Sequence, residues 1–520
     1  MSNIDISKLG ELQQNDKNLT TSEDHYLESA SDRRERWASI RIMYFTMFLM
    51  SLGFSVVLTG VWPYLRKLDK TASKDFMGFV VAAHPFSQML FSPLVGWWGN
   101  KLGKIRIPLM VTIVIFIIAS TIYSIIEIFD SYRKYWILFA RLLVGVSAAN
   151  MAVCRSYISA ATKFDERTRV VAILSLAQLL GFIVGPGLQA AVTPLGDDGY
   201  RISSSAVSLN MYTAAGWINV FLGVVNFILV LPVFFQERSI AAREAMLLSS
   251  SSTEKEAWKK VEPDYLSAWT LIVAFFILTF NFVLLESLGT PLTMDQFAWT
   301  NKEALSYLGI MLSVGGLIAC FTSALINRIS RRFGELPTLL WGSFLLMVLG
   351  RIAYIPWGSE PPLIAYQDED NCTMTNSTND ISCSLSLGCP VSQTWCLTTP
   401  AMTISQLIFG FILTSIGYPI GITLIQTIFS KVLGPRPQGV WMGLITGSGC
   451  LSRVIGPVFV VYVYTHFGTI WTFGGTALMM AISMIWLKLV SNRVEIACNT
   501  AHNLRDHPAQ AQEIRPMADT

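Results

Sequence analysis

The chain is poor in charge: 14% of its 520 residues are Asp, Glu, Lys or Arg, and the formal net charge is +3. So small an excess leaves no electrostatic footprint for nucleic acid. A phosphate-cradling GxxxxGK[ST] loop is missing, which argues against pumping driven by ATP on this chain. There is no cluster of His with carboxylates of the kind that makes a metal enzyme, so neither an enzymatic activity, a metal nor another cofactor is expected. Residues 1–36 lack the charged start, apolar run and cleavage site of a signal peptide and are expected to form a disordered cytosolic arm.

Apolar sequence is what the chain has in plenty. Hydrophobic residues make up 52% of it, the mean hydropathy is +0.48, and about twelve stretches are each long enough to cross a bilayer. A soluble protein of this length could not keep so much continuous apolar surface in water, so the pattern predicts an all-α membrane protein that acts as a transporter or channel. The first span is expected from Ile40 to Leu65. The others fall near 77–98, 105–128, 135–160, 169–193, 210–235, 265–292, 305–327, 336–356, 399–429, 438–464 and 468–490. This divides the chain into an arm (1–36), a six-helix bundle (37–235), a cytosolic linker (236–264), a second six-helix bundle (265–490) and a cytosolic tail (491–520).

Basic residues set the expected orientation. Arg33, Arg34, Arg36 and Arg41 precede the first span, and Lys101, Lys104, Arg106, Lys163, Arg167, Arg169, Arg328, Arg331, Arg332, Lys431 and Arg436 occupy even-numbered connections, which places both termini in the cytosol. Arg66, Lys67, Lys70 and Lys74 run against the rule, but the loop 357–398 supports it. That loop carries the glycosylation sequons Asn371-Cys372-Thr373 and Asn376-Ser377-Thr378, so it should face the secretory lumen. Cys372, Cys383, Cys389 and Cys396 lie in the same loop, and an oxidising lumen would join them as two disulfides in one of three pairings.

The halves echo each other. Pro63 and Pro291, expected to end spans one and seven, lie about 230 residues apart, whereas Gly185-Pro186 and Gly456-Pro457 lie about 270 apart, the difference matching the inserted luminal loop. The turn Gly96-Trp97-Trp98-Gly99-Asn100-Lys101-Leu102-Gly103-Lys104 resembles the signature loop of the major facilitator superfamily, with Asn100 where that family places an acid. Arg141-Leu142-Leu143-Val144-Gly145 in span four and Gly181-Phe182-Ile183-Val184-Gly185-Pro186 in span five are similar to two further motifs of that family. The resemblance implies twelve helices in two pseudo-symmetric bundles around a central cavity. Phe54-Ser55-Val56-Val57, Trp62-Pro63-Tyr64-Leu65, Pro291-Leu292-Thr293-Met294-Asp295, Ala298-Trp299-Thr300 and Leu433-Gly434-Pro435-Arg436-Pro437-Gln438-Gly439-Val440 resemble an endolysosomal branch of the superfamily. That branch implies a lysosomal or endosomal membrane and a chloride channel contributing to ion and pH homeostasis. The dileucine-like Glu244-Ala245-Met246-Leu247-Leu248 is one residue short of the usual spacing for sorting adaptors, which are expected partners of the cytosolic segments.

Charge within a span is costly and so marks function. Arg141, Arg155, Glu286 and Arg453 are such residues, on spans that the resemblance places around the cavity. Two heptads separate Arg141 from Arg155, about 21 Å along one helix face, with Arg155 near the cytosolic mouth, where an interfacial anchor is the simpler reading. Gly449 and Gly456 flank Arg453 on its face, and Thr279 and Thr290 share a face with Glu286. Two deep guanidiniums against one carboxylate leave the path positive and favour a small anion. Glu286 and His84 form the proton-coupling pair of the rival reading, a carrier of a small organic solute; a transport-silent scaffold is the third. Gln88 and Gln178 are further pore-lining groups. Gly96, Asn100, Lys101, Gly103, Lys104, Gly181, Gly185, Pro186, Gly456 and Pro457 are expected to gate or hinge, and the missing acid at Asn100 to weaken the latch.

Overall fold

Long apolar runs satisfy their backbone groups internally only as helices, and eleven continuous helical segments among the described residues are long and apolar enough to cross a bilayer. The last, Gly439–Leu489, has 51 residues and bends at Gly468, whose φ of 85° and ψ of −171° lie outside the helical region, so it makes two crossings and the total is twelve. The computed structural model describes residues 28–506 apart from 59, 70–73, 130, 197–198, 202–207, 249–252, 254–262, 359, 366, 375–380, 386 and 392.

The spans are α1 (Ala30–Leu58), α2 (Lys74–Leu102), α3 (Arg106–Ser124), α4 (Arg133–Ala161), α5 (Phe164–Val192), α6 (Met211–Val230), α7 (Tyr265–Phe297), α8 (Asn301–Phe333), α9 (Glu335–Ala353), α10 (Ile404–Val432), α11 (439–467) and α12 (469–489). Capping boxes start three of them: Asn210 with Thr213 for α6, Thr300 with Glu303 for α8, and Thr403 with Gln406 for α10. Each half has its own cores. Met43, Met47, Phe116 and Tyr157 are packed in the first half, and Leu271, Phe344, Leu424 and Phe429 in the second. Large apolar side chains such as Phe221, Leu317, Phe321 and Leu489 remain exposed, as a hydrocarbon-facing surface requires.

Between the halves, α2 packs along α11 and α5 along α8. These are the same pair under exchange of halves, the second helix of one against the fifth of the other. Gly185 makes the seam of α5 with α1, seated on Ser55 and Val56, and Gly456 makes the seam of α11 with α7, seated on Val283 and Phe280. The two Gly-Pro elements, Pro186 and Pro457 included, thus lie at equivalent seams.

Several boundaries differ from the sequence expectation. Residues 28–36 belong to a docked helical start, because Arg36 is 1% exposed and bridges Glu28 at 2.7 Å and Glu166 at 2.9 Å while donating to the Ala161 carbonyl. Pro63 sits inside a short helix, Val61–Leu68, that restarts the chain after α1, and Pro291 lies within α7, which continues to Phe297. The linker contributes a helix, Ala241–Leu248, in which Glu244 accepts from the Phe164 amide at the start of α5, so the acid of the dileucine-like segment is engaged in the fold. The tail forms a helix, Ser491–Asp506, tied by Arg493 to Asp264 at 2.7 Å.

The described ends of the chain, near residues 28 and 506, and the described linker helix lie at one end of the bundle, and the described residues of 357–398 at the other. In that loop Cys389 and Cys396 form a disulfide, and Trp395 packs on Tyr464 and Gly468 while donating to the Thr465 carbonyl. The bulky ring against the bend explains why a glycine stands there. A β-ribbon pairs Gln367–Met374 with Ile381–Leu385 and sets Cys372 opposite Cys383; Asn371 lies on its first strand, and Asn376 falls outside the described residues.

On this loop face Glu127, between α3 and α4, ties three connections together. It pairs with Lys67 at 3.0 Å and accepts from Asn210 at 2.7 Å and from Ser208. Burial alone would raise its pKa, but hydrogen bonds from Ser208, Lys67 and Asn210, with the Lys67 charge, outweigh it and hold the carboxyl below its ordinary value. A depressed carboxylate adds stability above its unfolded pKa, near 4.3, and loses it as pH falls through the folded value. Thermal unfolding of the purified protein should therefore keep this contribution at pH 5 and lose it progressively below about pH 4, whereas Glu127→Gln should be less stable at pH 5 to 7 and lack that part of the acid dependence.

Candidate functional site

Where α1, α2, α4 and α5 face α7, α10 and α11, a cavity of about 170 Å³ remains, lined by Arg155, Gln178, Gln88, His84, Phe54, Thr279, Glu286, Tyr418, Thr446 and Arg453 among others. Arg155 is 8% exposed and reaches across the halves, donating from Nη1 to Thr446 Oγ1 at 2.8 Å and from Nη2 to Gln178 Oε1 at 3.1 Å. It is therefore no interfacial anchor. Nothing accepts from its Nε. Arg453 is half-buried beside Tyr418 and Glu286. Tyr418 is fixed by stacking on Phe282, with centroids 3.8 Å apart and planes 12° from parallel. Glu286 is exposed, the open acid of the site. Gln88 spends its amide on the Ala148 carbonyl at 3.1 Å and the Met151 sulfur, so it ties α2 to α4 as it lines the cavity.

Arg141 is separate. It is 2% exposed, does not line the cavity, and lies with its guanidinium carbon 5.3 Å from the ring centre of Phe54, which does. His84 packs against the same ring, tilted by 36° with centroids 4.3 Å apart. The two-heptad stripe predicted to align Arg141 with Arg155 is broken because α4 tightens at its middle: Ala149 donates to Val146 and Ala152 to Ala149, three-residue bonds that end one helix and begin the next.

Sequence reasoning overlooked Arg351. It is fully buried in α9, donates to the Asn281 carbonyl of α7, and holds its guanidinium 5.6 Å from the Tyr354 ring. The signal was available, since an arginine five residues inside the expected end of a span is too deep for free solvation.

On the termini face the halves close on each other. Gly96 of α2 and Gly439 of α11 touch backbone to backbone, leaving no room for a Cβ on either. Beside them Asn100 accepts from the Gly439 amide at 2.9 Å and donates to the Pro437 carbonyl at 3.3 Å. The expected weakness from the missing acid is thus offset: an amide supplies both a donor and an acceptor here, and a carboxylate could supply only the acceptor. Ser159 and Ser430 lie 2.8 Å apart, and Arg167 joins both their carbonyls. Lys431 pairs with Glu335 at 2.8 Å, and Thr168 donates to the same carboxylate. Gly103 turns the chain with φ of 62°, Lys101 rests over Trp97 at 5.1 Å, and Lys104 is exposed. Gly181 seats α5 on Phe48 and Ser51 of α1.

The chain matches the model of the Major Facilitator Superfamily over residues 43–366 and 381–513. It is 38% identical over 479 residues to major facilitator superfamily domain-containing protein 8 of Xenopus laevis, a match covering 90% of this chain and 94% of that protein. Among solved structures, the human organic anion transporter MFSD10 (TETRAN) superposes with a TM-score of 0.59 at 17% identity, covering 86% of this chain and 99% of that one. The E. coli fucose:proton symporter FucP gives 0.60 at 11% identity, covering 88% and 99%. At these identities both structures speak to the fold alone.

The closed seam makes a direct expectation. Cysteines introduced together as Ser159→Cys and Ser430→Cys should crosslink under mild oxidation of the full-length protein, seen as a mobility shift reversed by reductant. Adding Gly439→Ala, whose methyl group has no space against Gly96, should reduce that crosslinking by about tenfold.

Proposed function

The chain belongs to the major facilitator superfamily, and from that membership and its positive cavity we propose that it conducts a small anion, chloride, across an endolysosomal membrane. As a multi-pass membrane transporter it moves a small solute between the two faces. The observation that carries the anion reading is the charge count of the cavity: Arg155 and Arg453 line it against the single carboxylate Glu286. A guanidinium stays protonated even when buried, so the field at the site is positive at any lysosomal or cytosolic pH. Arg155 holds two donors on Thr446 and Gln178 and one N–H without a partner, and Arg453 and Tyr418 supply further donors, a set suited to an ion that only accepts. The small volume, about 170 Å³, fits a halide with a partial water shell.

In this reading the arm, linker and tail face the cytosol, and loop 357–398, with Asn371 and Asn376 glycosylated, faces the lumen. The seam at Gly96, Asn100 and Gly439 is the cytosolic gate, and a channel-like mode follows when it parts while the loop face stays accessible. One observation favours a second reading. Glu286 is exposed beside Arg453, placed for a carboxylate whose proton and whose pairing with Arg453 alternate, as a proton-coupled carrier of a small organic anion needs.

Voltage clamp of endolysosomal membranes containing the protein distinguishes the two. Current reversing at the chloride equilibrium potential, reduced about tenfold or more by Arg155→Gln or Arg453→Gln, is the expected outcome, since each substitution deletes charge-assisted bonds worth roughly 1.5 to 3 kcal/mol. Uptake that needs a pH gradient, is abolished by Glu286→Gln and carries no such current would establish the carrier instead.

A further inference from the structure

Arg141 is buried to 2% exposure with two N–H-bearing nitrogens, Nε and Nη2, lacking any acceptor. Among the described residues no carboxylate pairs with it, and its guanidinium is met by the Phe54 ring with an electrostatic contribution from Tyr123. A ring face recovers only part of the cost of burying a guanidinium and leaves these N–H groups unused. The Phe54 ring lines the cavity, as His84 does, and Arg141, which does not line it, lies against that ring. His84, 4% exposed, packs tilted against that ring, and among the described residues its Nε2 has no partner. Three unused nitrogens from α2 and α4 therefore sit around one aromatic ring.

Phe54 lies one turn before the end of α1 at Leu58, and a short helix begins at Val61. Along the helices it lies between Arg155 and the loop face: Arg155 is near the termini end of α4, Arg141 is two turns from its loop end, and Phe54 is one turn from the loop end of α1. Phe54 is thus a wall residue of the cavity on the loop-face side of Arg155.

We propose that Phe54 is a shutter dividing the anion path into two subsites, an open one at Arg155 and Arg453 and a second at Arg141, which takes a small inorganic anion only when the ring swings aside. The proposal rests on the anion reading above and adds the residue that sets how far, and which, ions advance. A halide or similarly compact anion meets the unpaired N–H groups of Arg141 where an organic anion with an apolar body collides with Phe54 and Phe182, whose rings lie 6.0 Å apart. Ring displacement exchanges a cation–aromatic contact for an ion contact, so the shutter opens more readily when an anion is present.

Two measurements on full-length protein in proteoliposomes test this. In the first, Arg141→Cys is made with Cys450→Ser, which removes the native cavity cysteine, and labelling by an anionic methanethiosulfonate is timed. Labelling should be about tenfold faster when Phe54→Ala is added. Equal rates with and without the ring overturn the shutter. In the second, halide flux is followed by a trapped fluorophore. Phe54→Ala should raise iodide flux relative to chloride several-fold, Phe54→Trp should lower both, and Arg141→Gln should reduce flux more in the Phe54→Ala protein than in the wild type. Unchanged selectivity together with additive effects counts against the proposal. Should Phe54→Ala elute as aggregate, Phe54→Leu reads the same quantities with less loss of volume. Absence of halide flux in the wild type while labelling still depends on Phe54 would refute the anion reading and leave a shielded Arg141; wild-type flux that falls with Arg155→Gln while labelling ignores Phe54 would refute the shutter alone.

Discussion

Positive charge that cannot be discharged, held inside helices that must cross hydrocarbon, is the constraint from which this architecture follows. A guanidinium keeps its proton, so a buried arginine calls for fixed partners, and Arg141, with two nitrogens lacking an acceptor among the described residues, stands apart from the others. Arg36 is met by two carboxylates and a carbonyl, Arg351 by the Asn281 carbonyl and the Tyr354 ring, and Arg167 by carbonyls on both sides of the seam. Arg155 is met by Thr446 from the opposite half and Gln178 from its own. Each solution recruits a second helix, and for Arg155 and Arg167 that helix belongs to the other bundle. Closure of the termini face and organisation of the cavity thus use the same device, Arg167 joining the halves at the seam and Arg155 joining them in the cavity.

Helices can meet these charges only by coming close, and small residues permit it. Gly145 admits the His84 backbone of α2 to α4, Gly185 admits Ser55 of α1 to α5, and Gly449 admits Phe275 of α7 to α11. At Gly96 and Gly439 the approach is backbone on backbone and crosses from one bundle to the other. A contact of that kind has little side-chain entropy to lose and no bulk to adjust, so it behaves as seated or unseated with little between.

Much of this was legible beforehand. Hydropathy located the spans, and the repeated Gly-Pro elements identified equivalent seams, because composition and small-residue spacing act locally along a helix. Arg155, Arg453, Glu286, His84 and Gln88 were named from charge and polarity in apolar surroundings, and they do line one cavity. What escaped depends on geometry that a regular helix cannot predict. The three-residue bonds around Ala149 rotate Arg141 away from Arg155, and the continuation of α7 beyond Pro291 reflects neighbours that tolerate the freed backbone group. The order of residues 28–36 comes from ion pairs with Glu166, over a hundred positions away, which no local pattern encodes. Arg351 was hidden by its nearness to a span end, and Phe54 by being an apolar residue among apolar residues; its importance lies in what stands on either side of it.

Asn100 couples the two halves without exposing a charge to the field across the membrane. The bonds it makes to Gly439 and Pro437 are dipolar, with no titratable group and no net charge transferred when they break. Neither the resting potential nor the acidity of a compartment can pull directly on such a fastening, since work against a potential requires displaced charge. Electrical control must then enter through the charges deeper in the bundle, leaving this corner as a voltage-blind clasp whose tightness is set by packing and two dipolar bonds.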